Sequence, residues 1–269
     1  MPRSKTVRLT ATLRTEYESL FQSCVIRESR HDEVDAATKR LASVRNRYEA
    51  VSAATGVPWH VVAVLHCMET GVDFTRHLHN GDPLTGRTRN VPANRPLSGT
   101  PPFKWEESAI DALQLKRLSA DTDWSLAGTL YQLERFNGFG YRLRHPEVLS
   151  PYLWSFSHHY ATGKFVRDGA FSPTAVSRQC GAAVLLRRLA EQDLVALGQR
   201  RPDAAPLVEF SKTLPRDPAA VERARELQRF LNTFPGIFLR VDGVPGPRTS
   251  DAHRRVVGHF LAGDPRALP

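Results

Sequence analysis

The chain has 269 residues, with 37 Lys and Arg against 28 Asp and Glu, for a formal charge of +9. Hydrophobic residues make up 41% and charged residues 24%, which excludes a disordered chain and allows one sizeable domain plus a smaller one. No apolar run approaches the roughly 18 residues of a membrane span, and the positive charge points to a polyanionic partner: nucleic acid, anionic lipid or an acidic wall polymer.

The N-terminal stretch is basic and lacks an apolar segment, so no ordinary secretory signal is expected. Residues 15 to 55 read as helix. Tyr17, Leu20, Phe21, Cys24 and Val25 recur at helical spacing, and a polar-rich run follows from Asp32 to Ala54. Gly56 breaks it, and Pro58 suits the first turn of a helix carrying Val57, Val61, Val64, Leu65 and Met68. That helix is the expected buried centre, and it stops at Gly71. Residues 74 to 104 are dense in Gly and Pro and read as a long loop or irregular hairpin, of a length usually kept for function. Helical patterns resume at Trp105 and again through the segment WSLAGTLYQLERF, before a second turn-rich stretch from Asn137 to Tyr152. A last helix is expected from Pro173 to Leu197. Pro202, Pro206, Pro215 and Pro218 then mark a linker, and two helices joined by a Gly/Pro-rich turn close the chain. The expected division is a helical first domain over 1–198, a linker over 199–217 and a small second domain over 218–269.

Among the acids, Glu69 stands out. It lies at the end of the apolar helix, just before the Gly stop. Partial burial and the negative end of the helix dipole would both raise its pKa, giving an acid able to protonate a glycosidic oxygen. The plainer alternative is an exposed last-turn residue. Asp82 is the only acid between Asp73 and Glu106, and a second carboxylate facing Glu69 would complete the general plan of a glycoside hydrolase. Asn-Gly-Asp-Pro is also a strong turn in which Asp caps its own backbone, and Asp73 is a rival second acid. His66, His77 and His79 invite a metal, but no HExxH is present, so substrate hydrogen bonding or packing is expected instead. Cys24, Cys67 and Cys180 are odd in number and far apart, which argues against a disulfide scaffold or zinc ribbon. No metal or other cofactor is expected. The second insertion supplies aromatic faces suited to sugars, among them Phe139, Tyr141, Tyr152 and Trp154, with Asn137 beside two glycines that permit close approach. Arg76, Arg87, Arg89, Arg95 and Lys104 oppose Asp82 alone within the first loop, a basic rim suited to a polyanion.

The segment TGVPWHVVAVLHCMETGVDFTRHLHNGDPLTGRTRNVPANRP resembles the catalytic region of bacterial and phage lysozyme-like peptidoglycan hydrolases. The likeness is to the branch in which a helix-terminal Glu-Ser precedes a loop reading HLHNGDPLT. ERFNGFGYR, SPYLWSFSHHY and QCGAAVLLRRL extend it over roughly residues 45 to 190, with Thr70 where Ser is usual. The resemblance implies a mainly α, lysozyme-like helical domain with an inserted loop or hairpin. It puts the general acid at Glu69, places Asp82 and Thr88 where a hairpin-borne Asp and Thr are expected, and matches Asn137 and Tyr141 to a substrate-cleft pattern. His79, Tyr152 and Trp154 complete the expected substrate contacts. The C-terminal run LQRFLN followed by VDGVPGPRTSDAHRRV resembles a small helical peptidoglycan-binding domain, with Asp242, Gly243, Gly246 and Thr249 carrying a D-G-x-x-G-x-x-T motif. The combination implies a monomeric muramidase made without an ordinary signal peptide and acting on the bacterial cell wall. Its expected partner is peptidoglycan, with neither nucleic acid nor an integral membrane association. A lytic transglycosylase and a non-catalytic wall-binding protein are the alternatives.

Overall fold

The computed structural model describes residues 7–167, 169–197, 208–234 and 236–267. The chain divides into two compact units, Met1–Gly198 and Gln199–Pro269. The described residues are mainly helical, with one two-stranded sheet.

In the first unit, α1 (Ala11–Ser23) starts where the Thr10 hydroxyl accepts the Leu13 N–H, and it buries Leu13, Tyr17 and Phe21. The helix expected over 15 to 55 is three helices. After α1 the chain straightens at Cys24, and the Arg27 guanidinium fixes the break by donating to the carbonyls of Ser157 and Tyr160. α2 (His31–Ser43) and α3 (Arg45–Thr55) then meet at Val44, which has left the helical region. Gly56 turns the chain at a φ of 73°, with Ala120 so close that any Cβ would collide.

The hub is α4 (Trp59–Thr70), which touches α2, α3, α6 (Leu126–Asn137) and α9 (Ala182–Glu191). Val61 through His66 are all buried, as a helix that is apolar on every side requires. Gly71 ends it in the left-handed region, donating to the Cys67 and His66 carbonyls. Residues 74–104 contain no helix or strand, and α5 (Trp105–Leu115) follows, its first turn capped by Glu107 accepting the Lys104 N–H. The second turn-rich stretch holds two short helices, α7 (Gly140–Arg144) and α8 (Pro151–Trp154).

Two expectations over residues 160 to 197 need correcting. Lys164–Arg167 (β1) and Ala170–Ser172 (β2) form an antiparallel hairpin that the periodicity did not predict. The last helix is α9 alone, not Pro173 to Leu197. Residues 173–181 form no helix: the Tyr160 hydroxyl accepts the Ser177 N–H, and the Gly163 N–H bonds the Ala175 carbonyl. Gly181 then passes so near the Leu153 carbonyl that a Cβ would lie 2.2 Å from it. No single helix among the described residues is long and apolar enough to cross a membrane.

The second unit pairs α10 (Pro218–Leu231) with α11 (Pro247–Val257) over a small core of Leu231, Ile237 and Ala252. Part of the segment expected as linker belongs to this unit: the Phe210 N–H bonds the Ala262 carbonyl and the Ser211 N–H the Pro245 carbonyl. Residues 199–207 lie outside the described residues.

Candidate active site

Glu69 occupies the last turn of α4, half-buried. Its Oε1 accepts a 2.9 Å hydrogen bond from the Tyr152 hydroxyl on α8. Burial raises the Glu69 carboxyl above its ordinary range, while the Tyr152 hydrogen bond and the Lys116 charge pull it down without cancelling the rise. The net effect favours a proton on this carboxyl.

Tyr152 also lines a cleft of about 300 Å³, with Asn137, Tyr141, Lys164, Phe165 and Gln179. Asn137 ends α6, and Gly138 follows it at a φ of 93°, letting the chain turn into the cleft wall. The Tyr141 hydroxyl accepts the Phe165 N–H at 3.0 Å, fastening the hairpin to α7. The Gln179 side chain donates to the Met68 carbonyl at 2.6 Å, beside Glu69 in sequence. Sequence reasoning missed Gln179, Lys164 and Phe165. The hairpin that carries two of them left one signal, the Asp-Gly pair at 168–169.

Asp82 is differently engaged. Its Oδ2 accepts the N–H groups of Arg89 and Asn90 at 2.7 and 2.9 Å. The side-chain amides of Asn90 and Asn80 add bonds at 2.7 and 3.1 Å. These bonds, led by the backbone of Asn90, hold its carboxyl below the usual range and tie it into its own loop. Thr88 is buried, donating to the Pro92 carbonyl and accepting the Arg95 N–H at 2.9 Å. Asp73 is held by Thr75 and Arg76. Neither Asp82 nor Asp73 figures among the groups that set the Glu69 carboxyl.

The histidines fasten the first loop to α5. His77 bonds the Ser108 hydroxyl and the Gly86 carbonyl, both at 2.8 Å. His79 has its side chain closed off from solvent and meets the Asp111 carboxylate at 2.7 Å, where Arg95 joins at 2.9 Å. His66 is packed among Tyr48, Phe74 and Trp105. No group of three or more His, Cys, Asp or Glu among the described residues is arranged to hold a metal. Trp154 is a core residue rather than an open sugar platform. Of the expected basic rim, Arg76 pairs with Asp73 and Arg87 donates to the Gly99 carbonyl, while Arg89 and Lys104 are exposed.

In the second unit the D-G-x-x-G-x-x-T residues build the turn around buried Gln228. Its side-chain amide donates to Asp242, to the Val244 carbonyl and to Thr249, and its carbonyl oxygen accepts the Gly243 N–H. Gly243 sits at a φ of 81° with Val221 2.7 Å from where a Cβ would stand. Gly246 caps α11. A separate groove of about 260 Å³ is lined by Ile237, Phe238, Leu239, Arg248, Asp251 and Arg255, with Phe238 largely exposed. Comparison with protein-family models, characterised proteins and solved structures finds no match for this chain.

Proposed function

We propose that this chain cleaves the glycan strand of bacterial peptidoglycan at the bond between N-acetylmuramic acid and N-acetylglucosamine, through a lysozyme-like first unit with Glu69 as general acid. The observation that carries the reading is Glu69 itself: a carboxyl raised by burial, bonded to Tyr152 at the wall of an open cleft. Breaking a glycosidic bond requires a proton on the departing oxygen as the sugar C1 becomes cationic. A protonated Glu69 supplies it. Asn137, Lys164 and Gln179 offer hydrogen bonds to sugar substituents, and Phe165 and Tyr141 offer ring surface. The second unit would hold the wall.

A second reading, a lytic transglycosylase, is favoured by the loop-bound state of Asp82 and Asp73. Glu69, left ionised by the first proton transfer, would then take the proton of the muramic acid 6-hydroxyl as that oxygen attacks C1. No second carboxylate is needed for that route. Mass analysis of muropeptides released from purified sacculi separates the two, since hydrolysis leaves a reducing end and internal attack leaves an anhydro-sugar lighter by one water. Glu69→Gln removes the proton donor at nearly constant volume, and release is expected to fall by about 10³-fold or more with the fold intact. Release above a few per cent of the parent would overturn Glu69 as the acid, and no release by the parent chain would favour a non-catalytic wall-binding protein.

A further inference from the structure

The cleft that Tyr152 shares is biased towards positive charge. None of the residues lining it is acidic, and Lys164 of β1 is among them. A further cation, Lys116, directly follows α5 and is exposed. Its ammonium has a defined place: Nζ lies 3.4 Å from the Phe136 carbonyl and 4.7 Å from the centroid of the Phe136 ring. The same junction is tied in the other direction, since Arg135 donates to the Lys116 carbonyl at 2.8 Å.

Phe136 immediately precedes Asn137, which lines the cleft, and the Lys116 charge acts on the Glu69 carboxyl. The ammonium is thus fixed close to the acid, and its contacts are the Phe136 carbonyl and ring, with no ion pair to any acid among the described residues. An ammonium has more N–H donors than one carbonyl can take, so Lys116 keeps donors and a full charge available to a bound molecule. An anionic group seated beside Glu69 would meet that charge, whereas a cationic one would be repelled by Lys116 and Lys164 alike.

We propose that Lys116 is a specificity-determining residue, whose ammonium pairs with a carboxylate on the lactyl arm of the muramic sugar. This rests on the peptidoglycan reading and names the part of that polymer by which the first unit tells it from a neutral glycan. N-acetylglucosamine and N-acetylmuramic acid differ at this arm, which the first lacks. In a bare strand the arm ends in its own carboxylate. In a peptide-bearing strand the lactyl carbonyl is an amide, and the first carboxylate belongs to the stem peptide. A chain of N-acetylglucosamine alone offers Lys116 no charge at all.

The test is titration of the disaccharide N-acetylglucosaminyl-N-acetylmuramic acid, which has no bond of the cleaved kind, into the full chain. The side-chain amides of Asn137 and Gln179 report on the cleft by NMR. The free acid is expected to bind about fivefold tighter than its methyl ester, the upper end for an exposed ion pair. Lys116→Met should bring that ratio to about one, and Lys116→Arg, which restores the charge, should keep it. The ratio is taken within each variant, so a general loss of affinity does not imitate the effect. A peptide-bearing disaccharide, set against its form with amidated carboxyls, is the second arm. A Lys116-dependent ratio with the bare sugar assigns the lactyl carboxylate, and one confined to the peptide-bearing sugar assigns the stem. No ratio in either arm, or a ratio that survives Lys116→Met, would overturn the proposal, even if Lys164→Met abolished it. Sacculus lysis is read in parallel. Lysis without the ratio sinks this assignment alone, and the ratio without lysis sinks the catalytic reading alone.

Discussion

Removing the Tyr152 hydroxyl takes away one of the two groups that pull the Glu69 carboxyl down, while the burial that pushes it up remains. An acid catalyst works while protonated and loses activity as pH rises through its pKa. Tyr152→Phe is therefore expected to move the alkaline limb of the pH–rate profile to higher pH. The turnover at the optimum should fall by no more than about tenfold, since the acid itself stays in place. A limb that stays put or moves to lower pH would show that Tyr152 does not restrain the acid. The same scale explains Asp82. A carboxylate with four hydrogen bonds from its own loop is stabilised as the ionised form, which suits a brace.

The long first loop keeps its place through α5. Asp111 gathers His79 and Arg95, and Ser108, one turn earlier, meets His77. Without helix or strand of its own, residues 74–104 depend on these side-chain ties for order. Asp111→Ala leaves the Arg95 charge without its carboxylate and His79 without its partner, in a region where both acid and arginine are mostly buried. The expected cost is about 3 kcal/mol in urea unfolding, with faster amide exchange at Thr88 and Arg95. A loss under about 0.5 kcal/mol would mean the loop is ordered by something else. The hairpin of β1 and β2 is a comparable case at the cleft, since Phe165 on β1 is fastened to Tyr141 and faces Phe171 across the strand pair.

At the scale of the whole chain, each unit has its own core, the second a small one gathered on Leu231 and reinforced by Gln228. Residues 1–198 are therefore expected to fold alone and to cleave short soluble glycans at close to the parent rate. On insoluble walls a tethering unit raises the local concentration of the enzyme, so the truncated chain should lose roughly tenfold or more there. Equal losses on both substrates, measured side by side, would mean that the second unit serves the first unit's stability and not its targeting.

Local sequence was enough wherever one element's own pattern settled the matter. The apolar run of α4, its stop at Gly71 and the half-buried Glu69 in its last turn were all legible, because helix burial and helix termination are written in nearest-neighbour spacing. The mainly helical class was legible for the same reason. The division of labour among polar residues was not. His79 and Thr88 look like open polar groups along the chain, yet Asp111, 32 residues away from His79, and the carbonyl of Pro92 absorb them. Trp154 reads as a sugar platform along the chain, yet it is buried in the core of the first unit. In the D-G-x-x-G-x-x-T turn, the partner that consumes the polar side chains is Gln228, a helix away. Gln179 reached the cleft with no periodic signal at all. A side chain's hydrogen-bond partners and its access to solvent depend on which distant segments fold against it, and only the tertiary structure decides that.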